Sequence, residues 1–169
     1  MDCWPRKNTC CRSSGLNYIT QDGFYRLSEE LGHLWKVKRP EIVRAISTAA
    51  AEGDRSENAE YIYRKKELRE TDRKIRYLER HLKDIQVVRD KPRQRDKVFF
   101  GASVLLEDEM GEQVRYRIVG GLEVRLEENE ISVASPMAKA LLGKVLDDDV
   151  VVSLPDGRKV TYTLLEIVY

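Results

Sequence analysis

The chain has 169 residues, of which 41% are hydrophobic and 35% charged, with a formal net charge of +1. That length suits one ordinary domain or two small ones, and the charge is richer than in an average globular chain, as an exposed helical rod would require. No run approaches the roughly 20 apolar residues of a membrane span, so a membrane partner is not expected. The small net charge conceals an asymmetry, because residues 17–97 hold 20 Lys+Arg against 15 Asp+Glu and residues 98–169 hold 7 against 13. A basic half joined to an acidic half points to two different contact surfaces.

Residues 1–16 read as a disordered leader. They contain all three cysteines, Cys3, Cys10 and Cys11, an odd and partly adjacent set that makes neither a disulfide framework nor a metal-ligand pattern. With no apolar h-region in the leader, a cytoplasmic location is expected.

Residues 17–89 carry helical periodicity. Thr20 is a candidate N-cap, and Phe24, Leu27, Leu31 and Leu34 recur at steps of three and four. Pro40 predicts a kink or a short break near Val37–Pro40. Periodicity resumes at Ile42, Ala45, Ile46 and Ala49, thins to small side chains and stops at Gly53. A second helix starts near Ser56, with Tyr61, Leu68, Ile75 and Leu82 on one heptad line and Thr71, Leu78 and Ile85 on its neighbour. Roughly 30 residues at 1.5 Å rise give a rod of about 45 Å. So short a join makes the pair an antiparallel coiled-coil hairpin, with Asp54 and its neighbours at the tip.

Residues 90–97, DKPRQRDK, read as a linker. In residues 98–169 the β-branched runs SVLLED, QVRYRIVGG, ISVAS, DVVVSL and KVTYTLLEIVY are separated by turn residues, including Pro155-Asp156-Gly157. In SPMAKALLG, Ser135 caps a short helix, Pro136 takes its first position and Gly143 ends it. The expected C-terminal domain is therefore α+β, a small antiparallel sheet with one short helix.

Two features could carry chemistry. Glu52, Asp54, Glu57 and Glu60 crowd one turn, and oxygen-rich clusters suit Mg²⁺, which often takes only one or two protein ligands. Acidic residues also favour helix N-termini and solvated turns, and spacing alone does not choose between the two readings. The second feature is a basic stripe formed by Lys65, Lys66, Arg69, Arg73, Arg76, Arg80 and Lys83. At about 100° per residue, Arg69, Arg73, Arg76 and Arg80 share an arc of roughly 60° opposite the heptad seam. Arginine suits phosphate, so nucleic acid (RNA or DNA) is a candidate partner, and a merely soluble face is the alternative. Few aromatic residues accompany the stripe, which argues against base reading. His33 and His81 are lone helix-surface histidines, and Asp147, Asp148 and Asp149 read as a solvated turn. No nucleophile elbow, phosphate loop or CxxC pair is present. The chain holds no self-contained active site.

Several of these stretches together resemble the bacterial Gre transcript-cleavage factors. They are GDRSENAEYIYRKKELRETDR (Gly53 to Arg73), RPEIVRA (Arg39 to Ala45), VFFGASVLLEDE (Val98 to Glu109), RYRIVG (Arg115 to Gly120) and ISVASPMAKALLGK (Ile131 to Lys144). GDRSENAEYIY and VFFGA are nearer the GreB branch than the GDLKENAEY of GreA. The likeness runs from Tyr18 to Tyr169. Thr71 stands where isoleucine is common, Ala134 where GreB proteins often carry aspartate, and LEVRLEENE (Leu122 to Glu130) departs from the usual basic-aromatic segment.

The resemblance implies a monomer that inserts its hairpin into the secondary channel of RNA polymerase. Asp54 and Glu57 would then share an Mg²⁺ with the polymerase and position the attacking water, and the polymerase would cleave its own backtracked RNA near the 3′ end. The protein would have no cofactor of its own. Arg69, Arg73, Arg76 and Arg80 would contact the extruded RNA. An FKBP-like C-terminal domain would dock at the channel rim through Ser135, Pro136 and Met137. The main rival is a channel-occupying inhibitor without cleavage activity, which would rework the tip, whereas GDRSENAEY is intact. A prolyl isomerase rests on fold analogy alone, and a plain coiled-coil scaffold needs neither tip nor stripe.

Overall fold

The computed structural model describes residues 18–51, 59–89, 92, 94–153 and 157–169. Asp54, Glu57 and the rest of the tip from Glu52, together with Gly53, Ser56, the leader cysteines and Pro155–Asp156, lie outside the described residues. The chain divides into two compact units, one spanning Ile19–Asp90 and the other containing Lys91–Tyr169.

The first unit opens with β1 (Tyr18–Thr20) and runs into α1 (Gln21–His33). Thr20 is the N-cap, its hydroxyl accepting the Gly23 N–H at 3.1 Å, a contact worth about 1 kcal/mol. No break follows near Pro40. The helix instead continues through a π-helical stretch, Leu34–Lys38, into α2 (Arg39–Ala51). There the Arg39 N–H reaches back five residues to the Leu34 carbonyl. Proline offers no N–H and crowds the carbonyl four residues earlier, and one widened turn just ahead of Pro40 accommodates both defects without interrupting the rod.

The partner helix, α3, spans Ala59–Lys83, a length of about 38 Å at 1.5 Å per residue. Thr71, Ile75 and Leu78 are buried, with Tyr61, Leu68 and Leu82 half-buried along the same line, as a heptad seam requires. They face a helix that supplies Ile42 and Ala49 as its buried residues. Trp35 bonds to Glu79 while Arg39, further along, bonds to Asp72, so the two helices run antiparallel. One expected seam residue falls outside the helix: α3 ends at Lys83, and Ile85 lies before β2 (Gln86–Val88), which pairs with β1. Strands of three residues are too short to announce themselves by alternation.

The second unit is built on a five-stranded sheet in the order β5-β4-β3-β7-β6. Its strands are β3 (Ser103–Asp108), β4 (Gln113–Val119), β5 (Glu130–Ser132), β6 (Asp149–Ser153) and β7 (Lys159–Val168). The antiparallel expectation holds for three of the pairings, but β4 and β5 are parallel, so the sheet is mixed. The connection between them crosses over through a 3-10 turn at Leu126–Glu128 and reverses at Asn129, whose φ is 53°. Alternation places Val104, Leu106, Val150, Val152 and Leu164 on one face, buried with Ile118 and with Ala138 and Leu141 of α4 (Pro136–Leu141). The Ser135 hydroxyl caps α4, accepting the Ala138 N–H at 3.1 Å, with Pro136 in the first turn. The Asp147–Asp149 run is more than a solvated turn, since Asp148 accepts the Val145 N–H at 3.0 Å and Asp149 accepts the Thr163 hydroxyl at 3.1 Å.

Tyr169 ties the end of β7 to the segment before β3. Its hydroxyl accepts the Phe99 N–H at 2.9 Å and donates to the Lys97 carbonyl. Burial pushes this hydroxyl's pKa above the ordinary 10.0, opposed by the Phe99 bond and aided by Asp96. A raised value means that the fold holds the proton, so the contribution to stability is full below about pH 10 and is lost as pH rises through the folded-state value. Tyr169→Phe is expected to cost about 1–2 kcal/mol at neutral pH and to soften the alkaline loss of stability, measured by urea unfolding across pH 7 to about 11. Unchanged stability at neutral pH would contradict this bridging role.

Candidate functional site

The exposed face of α3 is where charge accumulates without a structural purpose. Lys65, Lys66, Arg69, Arg73, Arg76, Arg80 and Lys83 are all exposed. None of Arg69, Arg73, Arg76 and Arg80 has an ion-pair partner among the described residues. Mixed signs would be normal on such a face, and α3 does carry carboxylates: Glu70 is exposed beside the arginines, whereas Asp72 and Glu79 are engaged elsewhere. Asp72 holds Arg39 at 2.9 Å, and Glu79 accepts the Trp35 indole N–H at 2.9 Å. Both lie on the flank turned toward the preceding helix. Each such pair is worth about 0–1 kcal/mol in stability; their larger consequence is that two carboxylates are kept off the arginine face.

A second set of charges sits on the seam side. Arg64, at the heptad position between Tyr61 and Leu68, is half-buried and paired with Glu67 at 3.1 Å and Glu60 at 3.6 Å. The hydrogen bond it donates to Glu67 holds its guanidinium above even arginine's ordinary range. Lys74 reaches Glu30 of α1. Arg64 was not legible as a seam residue, because a cation at a heptad core position looks like an interruption of the apolar line until its flanking glutamates are seen. Glu60, one of the crowded tip carboxylates, is thereby committed to Arg64.

A further pair escaped the sequence reading. Tyr77 and His81, one turn apart on α3, bring their rings to 4.3 Å between centroids. His81 is therefore not solitary.

In the second unit, the three residues expected to dock differ in what they offer. Pro136 is exposed, as is Ala134 beside it. Ser135 spends its hydroxyl on the α4 cap, and Met137 packs against the core. The divergent 122–130 segment is fixed by carboxylates: Glu123 is buried and accepts the Gly120 N–H at 2.7 Å. Glu130, also buried, takes the Arg125 guanidinium at 2.8 Å and the Arg125 N–H at 2.9 Å. Burying a carboxylate is tolerable only with such partners. These clasps leave Leu126 at 84% exposure on the crest of the turn.

Among the described residues, no group of three or more His, Cys, Asp or Glu could hold a metal, and no helix is long and apolar enough to cross a membrane. Asp54 and Glu57, the residues for which a metal was expected, lie outside the described set. Two carboxylates are oxygen donors of the kind that a hard cation such as Mg²⁺ takes.

One unit thus carries an exposed arginine row on α3, and the other a mixed sheet whose 122–130 crossover is held by buried carboxylates. The family model for the N-terminal domain of the GreA/GreB transcription elongation factors matches residues 17–87, and the model for their C-terminal domain matches residues 93–169. The chain belongs to the GreA/GreB family of transcription elongation factors. It is 52% identical to transcription elongation factor GreB of Pseudomonas aeruginosa over 158 residues, 94% of each chain. It is 55% identical to the GreB of Haemophilus influenzae over 141 residues, covering 83% of this chain and 89% of the relative.

Proposed function

We propose that the protein acts on RNA polymerase as a GreB-type elongation factor that restores backtracked complexes by stimulating cleavage of their RNA. It is not itself an enzyme, since the polymerase makes the cut. The antiparallel helices form a coiled-coil arm that enters the secondary channel, carrying the GDRSENAEY tip to the catalytic centre. Asp54 and Glu57 would hold an Mg²⁺ shared with the polymerase and orient the attacking water by accepting its protons in hydrogen bonds. A magnesium ion bound there lowers the pKa of water and offsets charge on the phosphate. Arg69, Arg73, Arg76 and Arg80 retain the displaced 3′ segment of the RNA through its phosphates. The C-terminal unit, an FKBP-like domain in this reading, docks at the channel rim around Pro136, with Ser135 and Met137 shaping the loop beneath it. The protein works as a cytoplasmic monomer.

The observation that carries this reading is the unpaired arginine face. Two of its neighbouring carboxylates, Asp72 and Glu79, are drawn to the other helix, which leaves the arginines in excess over Glu70 on that face and suits a polyanion. The rival, a channel-occupying inhibitor, has the intact GDRSENAEY stretch against it. The test is to add the protein and nucleotides to arrested, backtracked polymerase. Resumed elongation is expected, and elongation slowed below the level without protein would favour the inhibitor.

A further inference from the structure

We infer that Tyr77 and His81 form a stacking platform for an unpaired base of the RNA strand whose phosphates the arginine face holds. The inference rests on the RNA contact proposed above and extends it from backbone to base. Tyr77 stands four residues after Arg73 and three before Arg80, which makes it a surface neighbour of both on a helix. It is 49% exposed. His81 packs on it at 4.3 Å with the rings tilted by 60°, bracing Tyr77 from one side and leaving the rest of the ring to solvent.

Among the described residues the fold makes no polar use of this pair. Neither side chain has a hydrogen-bond or ion-pair partner among the described residues, and neither lies on the seam. Two other tyrosines of α3 are differently engaged: Tyr63 lies under Arg64 at 5.8 Å and Tyr61 under Lys65 at 5.5 Å. As a helix-surface contact, the Tyr77–His81 pair would alter stability by a factor of about two at most. A base stacked on an aromatic ring contributes about tenfold in affinity and tolerates any sequence, because every base has a π-face. Flanking arginines that fix the phosphates would hold the strand in register for its bases to reach a ring on the same helix. Single-strand binders commonly combine a cationic track with aromatic rungs in this way.

The test is fluorescence anisotropy with two labelled probes of about ten units, a single-stranded oligoadenylate and an abasic ribose-phosphate strand of equal charge. Tyr77→Ala is expected to bind the oligoadenylate about tenfold more weakly and the abasic strand unchanged, with Tyr77→Phe close to the native protein on both. Arg73→Ala combined with Arg76→Ala should weaken both probes alike. If Tyr77→Ala binds both probes as the native protein does while the arginine variant is weakened, the platform is refuted and the phosphate contact stands. If the arginine variant is unaffected, or the native protein binds neither probe, the underlying RNA reading falls and the platform with it. Loss of polymerase association by Tyr77→Ala, with RNA binding unchanged, would assign the rings to a protein surface and overturn the inference.

Discussion

Asp54→Asn is expected to reduce stimulated RNA cleavage by at least about 100-fold while leaving association with RNA polymerase nearly unchanged. The asparagine keeps the size of the side chain and one oxygen but removes the charge that a hard cation requires. Loss of a partner one shell further from a metal already costs 10- to 100-fold in typical sites, so a direct ligand should cost no less. Binding should survive because the proposed docking loop at Pro136 and the arginine face of α3 are separate from the tip in the chain. The measurement pairs a cleavage time course with a polymerase-binding titration of the same variant. Loss of binding in step with cleavage would contradict the separation of roles.

Arg73→Ala combined with Arg76→Ala is expected to raise the protein concentration needed for half-maximal cleavage by about tenfold, or about 1.4 kcal/mol for the pair. The effect should grow with backtracking depth, because a longer displaced strand offers more phosphates along α3. Salt provides an independent check. Each phosphate contact on a single strand contributes about 0.7 to the slope of log affinity against log salt, so losing two should flatten that slope by about 1.4. Both side chains are exposed and unpaired, so no buried partner is orphaned and the fold should be unaffected. Equal sensitivity at all backtracking depths would remove RNA contact as the explanation.

Local rules made much of the architecture legible. The Thr20 and Ser135 caps involve contacts within three residues, and both appear at the expected positions. The heptad line on α3 is a repeat along one helix, and Thr71, Ile75 and Leu78 are buried along it. Four of the β-branched runs after residue 98 became strands close to the expected bounds, because alternation is also local, whereas ISVAS turns after Ser132. What was missed is set by contacts that residue type alone does not announce. The parallel β4–β5 pairing is set by a crossover held by buried Glu123 and Glu130, and neither glutamate differs in sequence from a solvated one. The π-helical turn before Pro40 is one of several ways in which a helix can absorb a proline.

The candidate site divides along the same line. The arginine arc could be calculated from helical angles alone. That Asp72 and Glu79 do not neutralise it depends on Arg39 and Trp35, more than 30 residues away. The Tyr77–His81 pair sits at helical spacing and was available in principle. Its rings flank the arginine arc instead of lying within it, so the arc alone does not point to them.

Whether this protein makes the polymerase cut its own transcript is decided by adding the native protein with Mg²⁺ to halted, backtracked RNA polymerase carrying labelled RNA and following the RNA's length. Rapid shortening of the RNA that depends on the added protein is expected. Unchanged RNA length, with slower elongation once nucleotides are supplied, would contradict it and identify a protein that occupies the channel without promoting cleavage.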